Sequence, residues 1–364
     1  MAFLYSSEQL AIREAAFRQL SSRFDSKALH FIIARAAGHD ADFWRLCREN
    51  GWTGVTIDPA YGGLGLGLVE LCLVAEAVGH VIAGAPFLLS SFGAADAIGL
   101  WGSDLHKTRW LGELAAGELI GAVASTEGNI LVPTAPAISV SGGRIRGQKH
   151  AVTAGAYADL AIVQARTEDG QVGLYAVSME GVRRNAIDSF DPSRGAADLI
   201  FEGQKAERLP VSNAQSLETL HARLAVVMAA EQLGGADACI KLARDYACTR
   251  QAFGQPIGRF QSVKHGIAEV WILAQLARAA VFEAARNLDS HVDNAELAAA
   301  AARLNASEAY EKAAWMATQV HGAIGVTWEA DLHLHYRRAR ALALELGQPA
   351  MWEDRIVAVL EQGL

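Results

Sequence analysis

The sequence predicts an α+β protein in which a helical segment, an antiparallel β segment and a helix bundle follow one another. Of its 364 residues, 51% are hydrophobic, and no proline lies between Pro256 and Pro349. Because proline breaks helices, that stretch favours long helices. Between about 119 and 208 apolar residues instead alternate with polar ones in short segments separated by turn residues, which is typical of half-buried strands. The predicted domains cover residues 1–118, 119–208 and 209–364.

The N-terminal segment is predicted to be helical from Ser7, where apolar residues recur with a helical period and the acidic Glu8 follows, as after an N-cap. Glycines and one proline between Gly51 and Gly67 indicate a structured loop. Further helices of this segment are predicted at about 41–50, 68–80, 87–100 and 104–116.

The last segment, after Pro210, is rich in alanine, leucine and arginine, which favour helices. In the β segment, the stretch GGRIRGQK at 142–149 predicts a hairpin. A phosphate-binding P-loop would need lysine in place of Gln148 and a hydroxyl residue in place of His150. The helices after Pro210 are predicted at about 216–249, 261–289, 293–320, 330–345 and 350–361.

The composition disfavours several classes of protein. A net charge of −8 gives no electrostatic reason to expect a nucleic-acid partner. The first residues mix glutamate and arginine into an apolar run, unlike a signal peptide, and no uncharged apolar stretch reaches the roughly 18 residues of a membrane span. The cysteines at 47, 72, 239 and 248 show no CxxC spacing and are expected to be reduced and buried. We therefore expect a cytoplasmic protein.

Three familiar kinds of site are also disfavoured. The glycines at 62–67 fit the GxGxxG spacing of a dinucleotide-binding turn in neither register. His333 and His335 would lie about 200° apart around a helix, so no metal site is expected with the neighbouring His321 and Asp331. No GxSxG motif marks a serine hydrolase.

Two breaks between long helices are candidate ligand sites. The stretch RQAFGQPIGRFQ at 250–261 leaves one helix, turns through two glycines and enters another helix. Arg250 stands at this corner near a helix N-terminus, which favours a phosphate or pyrophosphate; the alternative is a helix corner without a ligand. QVHGAIGVT at 319–327 is a second break, where glycines would admit a ligand to the backbone.

The chain resembles the acyl-CoA dehydrogenase family in five stretches that occur in the family's order. The resemblance implies a helical N-terminal domain, a central β-barrel, a C-terminal four-helix bundle, FAD bound at a subunit interface, and a homo- or hetero-tetramer. The stretches are GWTGVTIDPAYGGLGLG at 51–67, STEG at 125–128, IRGQKHAVTAGAYAD at 145–159, RQAFGQPIGRFQ at 250–261 and QVHGAIGVTWEADLHLHYRRAR at 319–340.

The resemblance also implies where FAD binds. Thr126 and Thr153 match hydroxyls that contact the flavin ring, whereas positions on a neighbouring subunit's bundle match contacts to the pyrophosphate and adenine. Hydroxyls can hydrogen-bond the flavin edge, and a guanidinium with helix-end amides can neutralise a pyrophosphate. The bundle positions are Arg250, Phe253, Gln261, Gln319 and Gly322.

The family removes two hydrogens from an acyl-CoA: a carboxylate takes the α-proton, the flavin accepts the β-hydride, and an electron-transfer flavoprotein receives the electrons. The two positions at which relatives carry that glutamate are Leu346 and Leu224 in this sequence. Glu345 is rotated by about 100° from Leu346 on a continuing helix. Glu231, two turns beyond Leu224, is a candidate replacement, and the alternative is an ordinary solvated or ion-paired glutamate.

These departures favour a subunit role. Gly128 and Ala151 also replace residues that are usual near the flavin. Short subunits without the base occur in α2β2 dehydrogenases of steroid-CoA side chains, and the ending LALELGQPAMWEDRI is similar to theirs. The first hypothesis is therefore a base-lacking subunit of a heteromeric enzyme for a bulky acyl-CoA. The alternatives are a self-sufficient homotetramer with a relocated base and a non-catalytic acyl-CoA-binding or scaffold protein.

Overall fold

The computed structural model describes residues 4–24, 30, 40–82, 87–189 and 191–362. The chain forms two compact units: a bundle unit of residues 1–30, 68–83 and 225–364, and a barrel unit of residues 31–67 and 84–224. The first helix begins at the predicted residue, and the other helices named here begin and end within two residues of their predicted bounds. In chain order, these helices are α1 (Ser7–Ser21), α2 (Ala41–Glu49), α3 (Leu68–His80), α4 (Phe87–Trp101), α5 (Asp104–Ala115), α6 (Ser216–Thr249), α7 (Gln261–Asp289), α8 (Ala295–His321), α9 (Leu332–Leu344) and α10 (Pro349–Gln362).

Helix α1 has its N-cap one residue earlier than predicted. The cap is Ser6, whose Oγ accepts from the N–H of Gln9 at 3.2 Å, while Gln9 Oε1 accepts from the N–H of Ser6 at 3.0 Å. This reciprocal pair satisfies two N–H groups of the first turn, which have no partner within the helix. The prediction of Ser7 as cap was therefore wrong, because Ser7 already has helical geometry.

Five strands of the barrel unit close into a ring. Strand β4 pairs with β2 and β5, β5 with β7, β7 with β3, and β3 with β2, while β1 joins β4 and β6 joins β7. The sheet is mixed rather than wholly antiparallel, because β1 and β2 both pair with β4 in parallel. The two strands lie one after the other along the same edge of β4. The strands are β1 (Gly121–Ala124), β2 (Ser139–Ser141), β3 (Arg144–Val152), β4 (Leu160–Thr167), β5 (Val172–Ser178), β6 (Arg183–Ala186) and β7 (Ala197–Arg208).

The predicted hairpin at 142–149 is present between β2 and β3. Gly142 and Gly143 connect Ser141 to Arg144 with φ angles of 54° and 72°. A two-residue turn with positive φ at both positions matches the twist of the flanking strands. The strand that follows contributes Ile145 to the apolar barrel core.

The bundle unit contains a buried ionic network between its helices. Arg278 of α7 is 1% exposed and donates to Glu76 at 2.7 Å and to Asp237 at 2.5 Å, and Glu76 also accepts from Arg13. Burial alone would raise the pKa of Glu76, but Arg278 and Arg13 lower it below its usual range. The network thus fixes α1, α3, α6 and α7 to one another through charges that would be unfavourable if unpaired.

No helix among the described residues is long and apolar enough to cross a membrane. All four thiols are free. Cys47, Cys72 and Cys239 are buried as predicted, but Cys248 is exposed. It lies in the last turn of α6, next to an exposed corner of the bundle unit, which the apolar sequence context did not reveal.

Helices α3 and α6 cross closely at two glycines. A Cβ on Gly79 would overlap the carbonyl oxygen of Glu231, and a Cβ on Gly234 would overlap the carbonyl oxygen of Glu76. Both oxygens belong to helix backbone, so neither can move aside unless the helices separate. Only glycine permits this approach.

Replacing Gly79 by alanine is therefore expected to lower the free energy of unfolding by about 2–3 kcal/mol, as overpacking does. Gly99→Ala is the matched control, because a Cβ there meets no atom within 4 Å. The control should stabilise helix α4 by about 0.5–1 kcal/mol. Chemical denaturation measures both changes, and equal values for the two variants would contradict the close crossing.

Candidate functional site

Five predicted cofactor residues lie at one end of the bundle unit, where α6 ends, α7 begins and α8 ends. A Cβ on Gly266 would meet the terminal methyl group of Met316 at 2.5 Å. The Tyr246 ring stacks on His321 with centroids 4.1 Å apart. These contacts bring the three helix ends together. The residues gathered at this end are Arg250, Phe253, Gln261, Gln319 and Gly322, and all of them are exposed.

The corner between α6 and α7 is a small β-hairpin that the sequence analysis did not predict. Strands β8 (Gln251–Ala252) and β9 (Gln255–Pro256) pair, and the N–H of Ile257 donates to the carbonyl of Arg250 at 2.9 Å. Phe253 and Gly254 form the turn with φ angles of 51° and 78°. The ring of Phe253 is 95% exposed at this tip. The corner therefore presents an aromatic surface beside Arg250.

The same end of the bundle unit favours an anion. Within the described residues, the guanidinium of Arg250 has no hydrogen bond or ion pair. Phe260 caps α7 without a side-chain hydrogen bond, and the N–H groups of Val263 and Lys264 donate to its carbonyl. Among the described residues, the N–H groups of Gln261 and Ser262 have no protein partner and are open to a ligand. Gly322 ends α8 with φ 62° and ψ −139°, a conformation that only glycine adopts readily.

Thr126 and Thr153 lie together in the barrel unit. The N–H of His150 donates to the carbonyl of Thr126 at 2.9 Å, which places Thr126 against the last residues of β3, just before Thr153. The strand end is bent at Ala151, which has φ 49° and donates its N–H to Asp198 at 2.9 Å. Both threonines are half-buried. The structure thus gathers the two predicted hydroxyl residues at one corner of the barrel.

The first position where the resemblance implies the base, residue 346, is a leucine in the turn that follows α9. Helix α9 ends at Leu344, so the predicted helical rotation between Glu345 and Leu346 does not apply: Glu345 is extended and Leu346 is left-handed with φ 59°. The carbonyl of Leu346 accepts from Trp352 Nε1 at 3.1 Å, and that of Glu345 accepts from Arg303 at 2.8 Å. The Leu346 side chain packs on a buried cluster of Ala225, Ala300 and Trp352.

Arg303 is a residue that the sequence analysis missed. It is fully buried in α8, and its guanidinium also donates to the carbonyl of Leu342 and to Gln232. Burial lowers the pKa of Arg303 to about 10 despite the nearby charge of Glu345. Its spacing from the buried alanines at 299 and 306 places it on the apolar stripe of α8. An arginine on that stripe was the sequence feature that could have indicated a buried guanidinium.

The second position where the resemblance implies the base is Leu224, which is buried in the barrel unit. Its Cδ2 lies 3.0 Å from the place that a Cβ on Gly93 would occupy. The preceding Arg223 donates to both carboxylate oxygens of Asp96, at 2.6 and 2.9 Å. Leu224 is therefore part of a packed helix contact, and the charged groups beside it are already paired.

Glu231 is held in a buried ion pair. Its Oε1 accepts from Arg338 Nη1 at 2.8 Å, and the two side chains are 2% and 1% exposed. The ion-paired alternative of the sequence analysis is thus the one that the structure contains. Because the Glu231 carboxylate is held by the Arg338 guanidinium, its role in the bundle unit is structural, which argues against Glu231 as the relocated base.

The histidines near the second glycine-rich break have separate partners. His335 Nδ1 lies 3.0 Å from the hydroxyl of Tyr310, while His321 and His333 contact backbone carbonyls of their preceding turns. Burial lowers the pKa of His335 to about 3, so this ring stays neutral. The described residues contain no group of three or more His, Cys, Asp or Glu side chains arranged to hold a metal.

Two family models cover most of the chain. The acyl-CoA dehydrogenase N-terminal domain matches residues 6–118, and the acyl-CoA dehydrogenase C-terminal domain matches residues 214–360. The chain belongs to the acyl-CoA dehydrogenase family. Its fold, with an N-terminal helical part, a central β-barrel and a C-terminal helical bundle, is the one predicted from the sequence.

Relatives of this chain include dehydrogenases with near-equal length. Acyl-CoA dehydrogenase IpdE2 of Mycobacterium tuberculosis is 29% identical over 343 residues, which are 94% of each chain. The crystal structure of the ChsE4-ChsE5 complex from the same species matches with a TM-score of 0.90 and 25% identity over 99% of both chains. A variant of the Tcur3481-Tcur3483 steroid acyl-CoA dehydrogenase matches with a TM-score of 0.89 and 24% identity over 98% of both chains.

Proposed function

We propose that this chain is the base-lacking subunit of a heteromeric FAD-dependent acyl-CoA dehydrogenase that acts on a bulky acyl-CoA, such as a steroid side-chain thioester, in the cytoplasm. One observation carries the proposal: leucines stand at both positions where the resemblance implies the base, 346 and 224, and both side chains are packed against apolar neighbours. A leucine cannot accept a proton, so the α-proton must go to a carboxylate of another subunit.

The residues present fit FAD. Arg250 and the open N–H groups at the start of α7 suit a pyrophosphate, and Gly322 leaves the backbone accessible beside them. The exposed ring of Phe253 suits an aromatic base. In the barrel unit, Thr126 and Thr153 offer hydroxyls for hydrogen bonds to the flavin edge. Gln261 and Gln319 complete the polar lining at the bundle end.

When bound, FAD supplies the acceptor for the hydride that leaves the β-carbon. The residues of this chain bind and orient: Arg250 neutralises phosphate charge, and the threonine hydroxyls fix the ring. An electron-transfer flavoprotein is the proposed recipient of the electrons, as is usual in the family.

The relatives support a partner subunit. The ChsE4-ChsE5 structure is a complex of two named components, and the Tcur3481-Tcur3483 enzyme also pairs two components and is called a steroid dehydrogenase. We propose that this chain likewise assembles with a second component and acts on a steroid-derived acyl-CoA. The proposed assembly is a heterotetramer of two copies of this chain and two copies of a second acyl-CoA dehydrogenase subunit that carries the glutamate.

Co-purification tests the proposal. The chain is expressed alone and together with a base-bearing family member encoded beside it. The expected result is a yellow tetramer with acyl-CoA dehydrogenase activity only when both chains are present. Full activity and bright yellow colour of the chain alone would contradict the subunit role. A complex that binds no FAD would instead favour the non-catalytic scaffold alternative.

A further inference from the structure

The segment that carries Thr126 is tied to strand β3 on both sides of the threonine. Besides the backbone bond from His150 to Thr126, Lys149 Nζ donates to the carbonyl of Ser125 at 3.0 Å. On the other side, the N–H of Gly128 donates to His150 Nδ1 at 3.0 Å. Two consecutive residues of one strand thus hold three consecutive peptide groups of the loop.

Lys149 is unusual because its side chain is fully buried in the barrel. Its ammonium also donates to Glu127 Oε1 at 2.7 Å, and the second carboxylate oxygen of Glu127 accepts from the N–H of Ala137 at 2.6 Å. Burial lowers the pKa of Lys149, and Glu127 counteracts this by its hydrogen bond and charge. Buried ion pairs add little net stability but require a fixed geometry.

Gly128 donates its N–H to His150 from a left-handed backbone conformation. Gly128 has φ 56°, a left-handed value, and a Cβ there would meet no atom within 4 Å. The bond needs a backbone N–H at this position and an unprotonated Nδ1 on His150. The hydroxyl of Thr126 itself has no hydrogen-bond partner among the described residues. The loop is therefore fixed through its backbone, which leaves the hydroxyl for a ligand.

We propose that Lys149, Glu127 and His150 are positioning residues that hold the Thr126 hydroxyl where it contacts the flavin ring. The inference rests on the proposed function, in which Thr126 is a flavin ligand. It adds that flavin binding depends on a buried ion pair that does not itself reach the cofactor.

The test compares Lys149→Met with the double variant Lys149→Met/Glu127→Met, each in the complex with the partner subunit. Lys149→Met leaves Glu127 unpaired, so both the unfolding temperature and FAD affinity should fall, the affinity by about tenfold or more. The double variant removes the unpaired charge and should regain the unfolding temperature. It should keep the weak FAD binding and an altered visible flavin spectrum, because Ser125 and Ala137 lose their partners.

Two further variants complete the experiment. Lys205→Met is the control, because Lys205 is 77% exposed and pairs with Glu207 at the surface; it should bind FAD as the wild type does. His150→Ala keeps the buried pair and should alter the flavin spectrum even if the Lys149 variants fail to fold. Wild-type FAD affinity and spectrum in both the double variant and His150→Ala would overturn the inference. A wild-type complex without FAD would instead refute the proposed function, and this inference with it.

Discussion

Arg250→Met is expected to weaken FAD binding to the assembled enzyme by about ten- to a hundredfold, the loss of one or two charge-assisted hydrogen bonds. The guanidinium lies at an exposed corner without a protein partner among the described residues, so its removal leaves no buried group unsatisfied. The unfolding temperature of the chain without FAD should therefore stay unchanged. Equilibrium ultrafiltration with FAD, read by flavin absorbance, measures the affinity.

Arg244→Met is the matched control for Arg250→Met. Arg244 lies near the end of α6, six residues before Arg250, and is also exposed, but its guanidinium pairs with the adjacent Asp245 at 2.7 Å. Its loss should leave FAD affinity within about twofold, because exposed ion pairs contribute little. Equal affinities of the Arg250 and Arg244 variants would refute a pyrophosphate contact at Arg250.

Glu231→Gln is expected to lower the free energy of unfolding by about 3–5 kcal/mol, because Arg338 is left as a buried charge without its carboxylate. Replacing both residues by methionine should restore most of that loss, since the double variant buries no charge. Chemical denaturation measures the free energies, and turnover of the assembled enzyme is measured in parallel.

Glu308→Gln is the control for Glu231→Gln, because the exposed Glu308 pairs with Lys312 one turn away at 2.6 Å. Its effect should stay below about 0.5 kcal/mol. If Glu231→Gln leaves stability unchanged and instead reduces turnover by orders of magnitude, Glu231 is a relocated base and the self-sufficient enzyme becomes the better account.

The helices were predictable because their signals are local. The proline-free stretch after Pro256 and the density of alanine and leucine place α7 and α8 correctly. The parallel pairing of β1 with β4 was not predictable, because it joins segments almost forty residues apart and depends on the closure of the ring. The N-cap was misplaced by one residue because Ser6 and Ser7 are both good caps in sequence.

The candidate site was predictable only in part. The glycines and Arg250 of the corner are visible in the sequence, but the hairpin that exposes Phe253 depends on a positive φ at a phenylalanine. The leucine at 346 was visible, whereas its left-handed backbone and the support from Arg303 were not. Ion pairs such as Glu231 with Arg338 join residues 107 positions apart, and a single sequence does not link them.

Anaerobic mixing with acyl-CoA shows whether this chain carries its own catalytic base. Two samples are compared: the chain by itself reconstituted with FAD, and the FAD-containing assembly of the chain with its base-bearing partner. Each is mixed with a steroid side-chain acyl-CoA while the flavin absorbance is followed. Rapid bleaching of the flavin is expected only in the assembly, because Leu346 and Leu224 cannot take the α-proton. Equally rapid bleaching of the flavin with the chain alone would show that the chain carries its own base and would refute the base-lacking subunit role.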